Sequence, residues 1–434
     1  MRKRAGRVFR PSCSFSVRNG TSGFSTGKMS CPKRETGPEG HGVEKGNTQT
    51  GGMFMGKFLC TPGPVPVPDM VAAAAARPLM SHREPDFGSL LGRLQNRLRD
   101  LLCVDGPVLL LPGSGTGALE GMLGGTLRPG MKVLSVSCGA FGDRFRDIAL
   151  RMGGEVVSVD VPWGSSVSPE RVREALQEHG DARLVLLTHN ETSTGVTNPI
   201  WRIVRAMPEP RPLVLVDAVS SLGCMPCSPE TWGVDGLASS SQKGLLTPPG
   251  VALVWLSPRA WKAVEETPSR SVFFDLRAHR TFLEKVEPQN PYTPPVTLFY
   301  ALDAALAFLG EYGHARWFAA RRRFARSFAE GVCALGCTLL VAEEARRSWG
   351  VTALRIPGMS KRLQKTLREL GVEVAEGQGC LKEDLIRFAH YGDLGWPEIA
   401  LYLGSLYAAL RECGADPKTG ALEAAYAAWN REGA

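Results

Sequence analysis

The sequence contains no apolar run of about 18 or more residues and no short apolar core typical of a secretion signal. It therefore predicts neither a membrane-spanning helix nor an exported protein. Its 11 cysteines are odd in number and scattered, which favours a reducing, cytoplasmic location over a disulfide framework. Cys224 and Cys227 have the spacing of a redox or zinc pair, but neither a second pair nor a His lies near them in the sequence. A structural role is favoured for them, and no metal site is predicted.

The net charge of +8 is concentrated at the start of the chain. Residues 1–52 contain ten Lys and Arg against three Glu, whereas the remainder contains 41 basic and 40 acidic residues. The near-neutral remainder gives no support for nucleic-acid binding. Residues 1–52 show no apolar periodicity and are predicted to be disordered. An over-extended gene start, with initiation at Met53 or Met55, is the favoured explanation, and an organellar targeting segment is the alternative.

Short apolar runs alternate with helical patterns through much of the chain, which predicts an α/β fold with a mostly parallel sheet and helices on both faces. From about Leu298, long helical patterns precede short strands at Val351–Arg355 and Leu385–Ala389, which predicts a smaller α+β domain. The expected divisions are an extension (1–52), an arm (53–75), a large domain (76–297) and a small domain (298–434). Strands are predicted near Val108, Val133, Val156, Val185, Val214 and Val251, and helices near Leu119, Phe145, Val172 and Val204.

A glycine-rich turn follows the first of these strands. The segment Leu109–Leu123, LLLPGSGTGALEGML, leads from an apolar strand into a helical pattern. Backbone N–H groups at the start of such a helix, together with the hydroxyl groups of Ser114 and Thr116, are suited to binding a phosphate. No Gly-Lys-Ser/Thr follows at the right place, so the turn is not a nucleotide P-loop. An ordinary tight turn is the alternative.

Polar residues also end later strands. Asp217 follows Leu213–Val216, where its carboxylate would either face the ligand crevice of an α/β protein or cap the next helix. Lys243 follows the apolar stretch Val234–Ala238. Burial would lower the pKa of its amine and make it nucleophilic, whereas an ordinary surface lysine would stay solvated. The polar cluster Thr188–Thr194 follows another apolar strand, as either a site or a turn.

These segments supply, in order, a phosphate cradle, a polar loop, a strand-end carboxylate and a strand-end amine. Pyridoxal phosphate requires such a set of groups. The amine holds the aldehyde as a Schiff base, the carboxylate keeps the pyridine nitrogen protonated, and the cradle binds the phosphate. The sequence therefore predicts pyridoxal 5'-phosphate as the cofactor.

The motifs resemble those of class V aminotransferases of pyridoxal-phosphate fold type I, in particular the alanine–glyoxylate and serine–glyoxylate group. The resemblance extends from Thr61 to Gly395 and keeps the order of the family's motifs. It would make the chain a transaminase with a large mostly parallel-sheet domain and a smaller α+β C-terminal domain. The matching segments are TPGPVPVP, SGTGALE, HNETSTGV, VDAVSSLG, SQKGL, PYTPP, GQG and IRFAHYGDLG.

The resemblance also implies contacts with the cofactor. Lys243 should form the Schiff base and move the proton at the substrate Cα, and Asp217 should bind the pyridinium nitrogen. Phe141 occupies the position where relatives stack an aromatic ring on the cofactor, an arrangement that is favourable by about 0.5–1.5 kcal/mol. Further contacts are implied for the phosphate by Ser114, Gly115, Thr116 and Gln242, for the ring by Val219, and for the phenolic oxygen by Thr192.

Other implied contacts involve the substrate and a second subunit. Arg387 should bind the α-carboxylate, because a guanidinium matches a carboxylate in a bidentate arrangement. Gly63, in the proline-rich arm, should lie near the substrate. Thr293, in PYTPP, resembles a residue that reaches the phosphate of the partner subunit, so a homodimer is expected. The implied substrates are a small amino acid, such as alanine or serine, and a 2-oxo acid, such as glyoxylate or pyruvate.

Alternatives remain at this point. A cysteine desulfurase or lyase of the same fold would use the same cofactor, and Cys380 lies near Arg387 in the sequence. However, Gln242 stands where a desulfurase would have His, and the setting GQGCLK around Cys380 matches the transaminase pattern. A scaffold without catalytic activity is a second alternative, against which the presence of Lys243, Asp217 and Arg387 argues. Tyr391 departs from the family pattern and is expected to narrow the site.

Overall fold

Two β-sheets organise the chain, and the predicted site residues lie on segments of both. The computed structural model describes residues 58–431, which belong to the compact unit Phe54–Ala434. The predicted disorder of residues 1–52 lies outside the described residues. Among residues 58–431, no helix combines the length and the apolar character that crossing a membrane requires.

The elements follow in chain order. The strands are β1 (Phe58–Cys60), β2 (Val108–Gly113), β3 (Lys132–Ser137), β4 (Glu155–Asp160), β5 (Leu184–Thr188), β6 (Asn190–Glu191), β7 (Val196–Thr197), β8 (Leu213–Asp217), β9 (Gly236–Ser240), β10 (Gly250–Leu256), β11 (Thr338–Leu339), β12 (Val351–Arg355), β13 (Val372–Glu376) and β14 (Leu385–Ala389). The α-helices are α1 (Asp69–Ala75), α2 (Pro85–Leu102), α3 (Gly115–Thr126), α4 (Ala140–Arg151), α5 (Pro169–Glu178), α6 (Ile200–Ala206), α7 (Pro229–Trp232), α8 (Pro258–Glu266), α9 (Leu276–Leu283), α10 (Val296–Tyr312), α11 (His314–Ala334), α12 (Ser360–Glu369), α13 (Trp396–Glu412) and α14 (Ala421–Arg431).

The large sheet has seven strands in the order β2-β10-β9-β8-β5-β3-β4. Strand β10 is antiparallel to both of its neighbours, and the other adjacent pairs are parallel. The prediction of a mostly parallel sheet is therefore confirmed. Each strand and helix predicted from the apolar pattern is present.

Helices cover both faces of this sheet, and alternate residues of each central strand supply the two apolar cores. In β5, Leu184 and Leu186 pack with residues of α3 and α4, whereas Val185 and Leu187 pack with residues of α2, α5, α6 and α10. Because both faces are buried, the strand is apolar at consecutive positions rather than at alternate ones. This explains why short continuous apolar runs identified the strands.

The second sheet has five strands in the order β1-β13-β14-β12-β11. It shares an apolar core with helices α11, α12, α13 and α14. Helix α10 instead packs against α1 and α2 in the core of the large sheet. The domain division expected from the sequence stays a prediction.

The parallel strands bring three polar segments to one edge of the large sheet. Thr188 is paired with Asp217, and Asp217 is paired with Ala238. The segments that follow β5, β8 and β9 therefore leave the sheet side by side at its carboxyl edge. This edge is where open α/β sheets bind ligands.

A buried arginine joins α11 to the segment that follows β14. Arg321 is 1% exposed, and its guanidinium donates to the carbonyl oxygens of Gly392 and Leu394. It also lies over the ring of Trp317, with its Cζ 4.6 Å from the ring centroid. Charge-assisted bonds to buried carbonyls stabilise a fold mainly because leaving those carbonyls unpaired is costly.

We expect Arg321→Met to lower the free energy of unfolding by roughly 2–4 kcal/mol, because two buried carbonyl groups lose their donors. Urea unfolding followed by circular dichroism measures this. Arg411→Met is the matched control, since Arg411 pairs with Asp416 on the surface, where their side chains are 57% and 94% exposed. The control should change the stability by less than about 0.5 kcal/mol. Equal effects of the two substitutions would contradict a structural role for Arg321.

Candidate active site

Lys243 lies at the carboxyl edge of the large sheet, three residues after β9 ends. The residue is 7% exposed, which rules out the alternative of a solvated surface lysine. Its Nζ lies 3.5 Å from Thr192 Oγ1 and 5.3 Å from the centroid of the Phe141 ring. Three of the residues predicted for the cofactor therefore surround one small space.

Burial lowers the pKa of the Lys243 amine to about 8. The positive charges of Arg387 and Arg144 also lower it, whereas the negative charges of Asp217 and Glu191 act in the opposite direction. The neutral, nucleophilic amine is consequently accessible near neutral pH, as imine chemistry requires.

Asp217 is the last residue of β8 and is 4% exposed. Its Oδ1 accepts a hydrogen bond of 2.8 Å from the backbone N–H of Val219, so the carboxylate both supports the turn and faces the crevice. Its Oδ2 has no hydrogen-bond donor among the described residues. Burial raises the pKa of Asp217 to about 7, and the Val219 bond and the Lys243 charge oppose that rise. A cation beside Oδ2 would favour the ionised carboxylate.

The glycine-rich turn begins α3, as the sequence predicts. Ser114 is the N-cap residue, and Gly115 and Thr116 form the start of the helix. A Cβ atom at Gly115 would lie 2.6 Å from Val219 Cγ2 and 3.2 Å from Ser240 Oγ. Only glycine therefore lets the helix start approach the turn after β8 this closely.

Two buried polar atoms at and just after the end of β9 have no partner among the described residues. They are Ser240 Oγ and Gln242 Oε1. Buried polar groups in native proteins are nearly always hydrogen-bonded, so these two groups can take a further partner. The Ser240 hydroxyl group and the N–H groups at the start of α3 are donors that suit a phosphate group, and Gln242 can add a donor through its amide nitrogen.

Arg387 lies in the middle of β14, in the small sheet, and is 5% exposed. Its Nε donates to the carbonyl oxygen of Glu376, and its Nη1 donates to that of Thr192, both at 2.8 Å. Burial lowers the pKa of Arg387 to about 10, so the side chain remains a cation at neutral pH. No carboxylate forms an ion pair with it within residues 58–431, which leaves its charge available to an anionic substrate.

The proline-rich arm reaches the site through Gly63. A Cβ atom added to Gly63, whose φ is +142°, would lie 3.3 Å from Lys243 Cε. A side chain here would thus be strained and would press on the lysine. Thr293, by contrast, is exposed, and its expected contact with a partner subunit stays a prediction.

Several His and Cys residues, which are often catalytic in other proteins, are instead buried and uncharged in the protein interior. Burial lowers the pKa of His189 to about 4 and that of His390 to about 3, so both are neutral. Cys227 Sγ lies 3.6 Å from His189 Nδ1, a contact between residues distant in sequence. Burial raises the pKa values of Cys224 and Cys227 to about 12, so both remain thiols. Within the part of the chain that is described, no His, Cys, Asp and Glu cluster is suited to a metal.

Tyr391 and Cys380 lie at the margins of this region. The hydroxyl group of Tyr391 donates to the carbonyl oxygen of Ser220 over 2.9 Å, so Tyr391 supports the turn that follows Asp217. Its expected narrowing of the site stays a prediction. Cys380 is exposed on the short 3₁₀ turn Gly379–Leu381.

Sequence reasoning missed Glu191 and Arg144. Glu191 is fully buried and accepts hydrogen bonds from the backbone N–H groups of Phe141 and Gly142. Arg144 lies over the Phe141 ring, with its Cζ 4.9 Å from the centroid. The available signal for Glu191 was an acidic residue within an otherwise neutral polar cluster that follows an apolar strand.

Comparisons with known proteins agree with this geometry. Residues 81–392 match the family described as aminotransferase class-V. The chain is 36% identical to L-aspartate–glyoxylate aminotransferase of Paracoccus denitrificans, a match that covers 77% of this chain and 86% of the relative. It is 32% identical to serine–glyoxylate aminotransferase of Methylorubrum extorquens, with the same coverage of each chain, 77% and 86%.

Among solved structures, ureidoglycine–glyoxylate aminotransferase of Bacillus subtilis matches with a TM-score of 0.81 and 26% identity, over 86% of this chain and 98% of that one. These matches confirm the fold and the family that the motifs indicated, and the family implies pyridoxal 5'-phosphate as cofactor. The chain therefore belongs to the class V aminotransferases, and it transfers an amino group from an amino acid to a 2-oxo acid.

Proposed function

We propose that this aminotransferase binds pyridoxal 5'-phosphate at Lys243, takes the amino group from a small amino acid, and passes it to glyoxylate. The observation that carries the proposal is the buried pair of Lys243 and Asp217 at one sheet edge, beside the unpaired polar atoms of Ser240 and Gln242. A cofactor with an aldehyde, a basic ring nitrogen and a phosphate would bind to the Lys243 amine, to the Asp217 carboxylate, and to the Ser240 hydroxyl group and the Gln242 amide nitrogen, respectively.

The residues would hold the cofactor in three places. The start of α3, with Ser114, Gly115 and Thr116, would bind the phosphate together with Gln242. Asp217 would bind the ring nitrogen, and Val219 and Phe141 would contact the ring faces. When bound, pyridoxal phosphate supplies an electron-withdrawing ring that makes the Cα proton of the substrate acidic and carries the amino group between the two half-reactions.

Lys243 would have two tasks in this scheme. Its amine would attach to the cofactor and would then, once freed by the incoming amino acid, move the proton at the substrate Cα. The pKa of about 8 suits both tasks, because a proton carrier works best when its pKa is near the working pH. Thr192 Oγ1, at 3.5 Å from Nζ, would orient the amine.

Arg387 would bind the α-carboxylate of each substrate. Two of its N–H groups are held by the carbonyl oxygens of Glu376 and Thr192, which fixes the direction of the guanidinium group. The remaining N–H groups would bind the carboxylate. Because donor and acceptor both carry this carboxylate, one site would serve both half-reactions.

The choice of substrates rests on relatives and on the small space above the lysine. The three relatives named above carry glyoxylate in their names but differ in the amino donor. Gly63 lies close to Lys243, and we propose that the arm around it limits the donor to a short side chain. Alanine and serine are therefore the donors we propose, with glyoxylate ahead of pyruvate as acceptor.

A substrate panel tests the proposal. Purified enzyme would be given alanine, serine, aspartate or ureidoglycine with glyoxylate or pyruvate, and keto-acid formation would be measured. Lys243→Ala serves as the inactive control. Release of sulfide or alanine from cysteine, without transamination of any donor, would instead support a desulfurase and contradict our proposal.

We further propose that the enzyme is a homodimer in the cytoplasm. Thr293 is exposed in the single chain, as a residue that completes a neighbouring site would be. The cysteines described are all free, which agrees with a reducing compartment. Light scattering of the active enzyme would give the dimer mass, and a fully active monomer would contradict this assembly.

We expect attachment of the cofactor to Lys243 to become faster as the pH rises through about 8, because the neutral amine is the reactive form. The rate should rise near this pH because burial lowers the pKa of the Lys243 amine. An ordinary lysine amine, with a pKa of about 10.4, would reach the same neutral fraction only at a pH higher by about 2 units. Borohydride reduction of apoenzyme mixed with the cofactor, followed by peptide mass spectrometry, measures the rate and the position. Nα-acetyl-lysine, which has a free side-chain amine, is the control. An adduct on another lysine would contradict the assignment.

We expect Asp217→Asn to keep the cofactor but to slow removal of the Cα proton by about 100-fold or more, since an amide cannot hold the ring nitrogen protonated. Exchange of the alanine Cα hydrogen with deuterium, followed by NMR, measures this step alone. Cofactor content, measured by absorbance, provides the control. Exchange at the native rate would show that Asp217 does not have this role.

We expect Arg387→Lys to raise the KM values for alanine and for glyoxylate about 10- to 100-fold, because a bidentate charge-assisted pair is lost. Steady-state kinetics with each substrate varied in turn measures both constants. Arg83→Lys is the control, since Arg83 donates to the side chain of Gln289 and to the carbonyl oxygens of Asn290 and Pro291. If only the Arg83 variant raised the KM values, the proposed orientation of the substrate would be wrong.

A further inference from the structure

Helix α4 begins without a capping side chain of its own. Its N-cap residue is Gly139, which has no side chain to accept a hydrogen bond. The first free N–H groups of a helix require acceptors when they are buried. Here the acceptors come from the polar segment after β5, about 50 residues later in the chain.

Ser193 and Glu191 supply those acceptors. The N–H group of Ala140 donates to Ser193 Oγ at 3.0 Å. The N–H groups of Phe141 and Gly142 both donate to Glu191 Oε2, also at 3.0 Å. A carboxylate at a helix N-terminus is further stabilised by the helix dipole.

The other oxygen of Glu191 is also fully used. Its Oε1 accepts from the backbone N–H of Ser193 at 3.1 Å and from the Ser193 hydroxyl at 2.6 Å. Burial raises the pKa of Glu191, and these hydrogen bonds oppose the rise. These four hydrogen-bond donors hold the Glu191 carboxylate in one orientation.

Helix α4 and the hairpin β6–β7 are packed too closely to accommodate a side chain at Gly139. A Cβ atom at Gly139 would lie 2.4 Å from Ser193 Oγ and 2.5 Å from Glu191 Cδ. Any larger residue would push the start of α4 away from the hairpin β6–β7. The position of the first turn of α4 is therefore determined by Glu191 and Ser193.

That first turn carries Phe141 into the site. The centroid of its ring lies 5.3 Å from Lys243 Nζ. The same hairpin presents Thr192, whose Oγ1 lies 3.5 Å from Lys243 Nζ and whose carbonyl oxygen accepts from Arg387. The distances from the Phe141 ring to Lys243 and to Arg387 therefore depend on the hairpin β6–β7.

We propose that Glu191 is a positioning residue that holds the Phe141 ring at the stacking distance required by the cofactor ring. The inference rests on the proposed binding of pyridoxal phosphate. Glu191 touches neither substrate nor cofactor in this scheme, and its effect on the position of the Phe141 ring passes through the backbone of α4.

A double-mutant cycle on cofactor affinity tests this role. Apoenzyme would be titrated with pyridoxal 5'-phosphate, and the dissociation constant would be measured for the native chain, Glu191→Gln, Phe141→Leu and the double variant. The amide of Gln keeps only one acceptor oxygen, so its NH2 group must face either the α4 N–H groups or the N–H group of Ser193, and one of these contacts is lost although the volume is kept. We expect Glu191→Gln to weaken binding about 3- to 10-fold, as loss of the aromatic contact would.

The expected coupling is that Glu191→Gln has little further effect once Phe141 is replaced. An equal loss of affinity in the native and the Phe141→Leu backgrounds would overturn the proposal. Glu191→Asp, which keeps the charge, should recover part of the affinity. If Glu191→Gln does not fold, Glu191→Asp takes its place in the double-mutant cycle.

Ser168→Ala is the matched control. Ser168 caps α5 through a 3.2 Å bond from the N–H of Arg171, and α5 carries no predicted site residue. The control should lower stability without changing cofactor affinity, and equal affinity losses in both variants would overturn the positioning role. If the native apoenzyme bound no pyridoxal phosphate, the proposed function itself would fail, whereas native affinity in Glu191→Gln would contradict only the role of Glu191.

Discussion

The active site depends on removing an amine and a carboxylate from water at one edge of a sheet. Lys243 and Asp217 are both buried, and burial moves their pKa values towards neutrality from opposite directions, to about 8 and about 7. Burial of unpaired charges is costly, so this arrangement requires a fold that supplies charges of both signs nearby. Arg387, Arg144 and Glu191 provide those charges.

The segment that follows β5 holds these groups together. Its backbone and side chains contact the start of α4 through Glu191, the amine of Lys243 through Thr192, and the guanidinium of Arg387 through the Thr192 carbonyl. Because Arg387 belongs to the small sheet, this last bond links the two sheets at the site. A movement of the segment would therefore alter the proposed substrate-binding and cofactor-binding groups at once.

Two polar atoms without partners belong to the proposed cofactor site. Ser240 Oγ and Gln242 Oε1 are buried without partners in the described part of the chain, and Ser240 lies close to Gly115 at the start of α3. These atoms would reduce stability in an empty protein. The proposed phosphate-bearing cofactor would give the Ser240 hydroxyl group an acceptor, and it would then contribute to the stability of the folded chain.

The sequence alone determined the fold class and the places of Lys243, Asp217 and the glycine-rich turn at strand ends, because strand ends, glycine-rich turns and reactive residues are local features. Lys243, Asp217 and the start of α3 lie where the motifs placed them. The tertiary structure alone decided that Glu191 caps α4 and that Tyr391 supports the turn after Asp217. It also decided that α10 packs with the large sheet and that Gly63 lies against Lys243. These contacts join residues that are from about 50 to about 220 positions apart. They are determined by the packing of whole elements, which no local pattern of residues records.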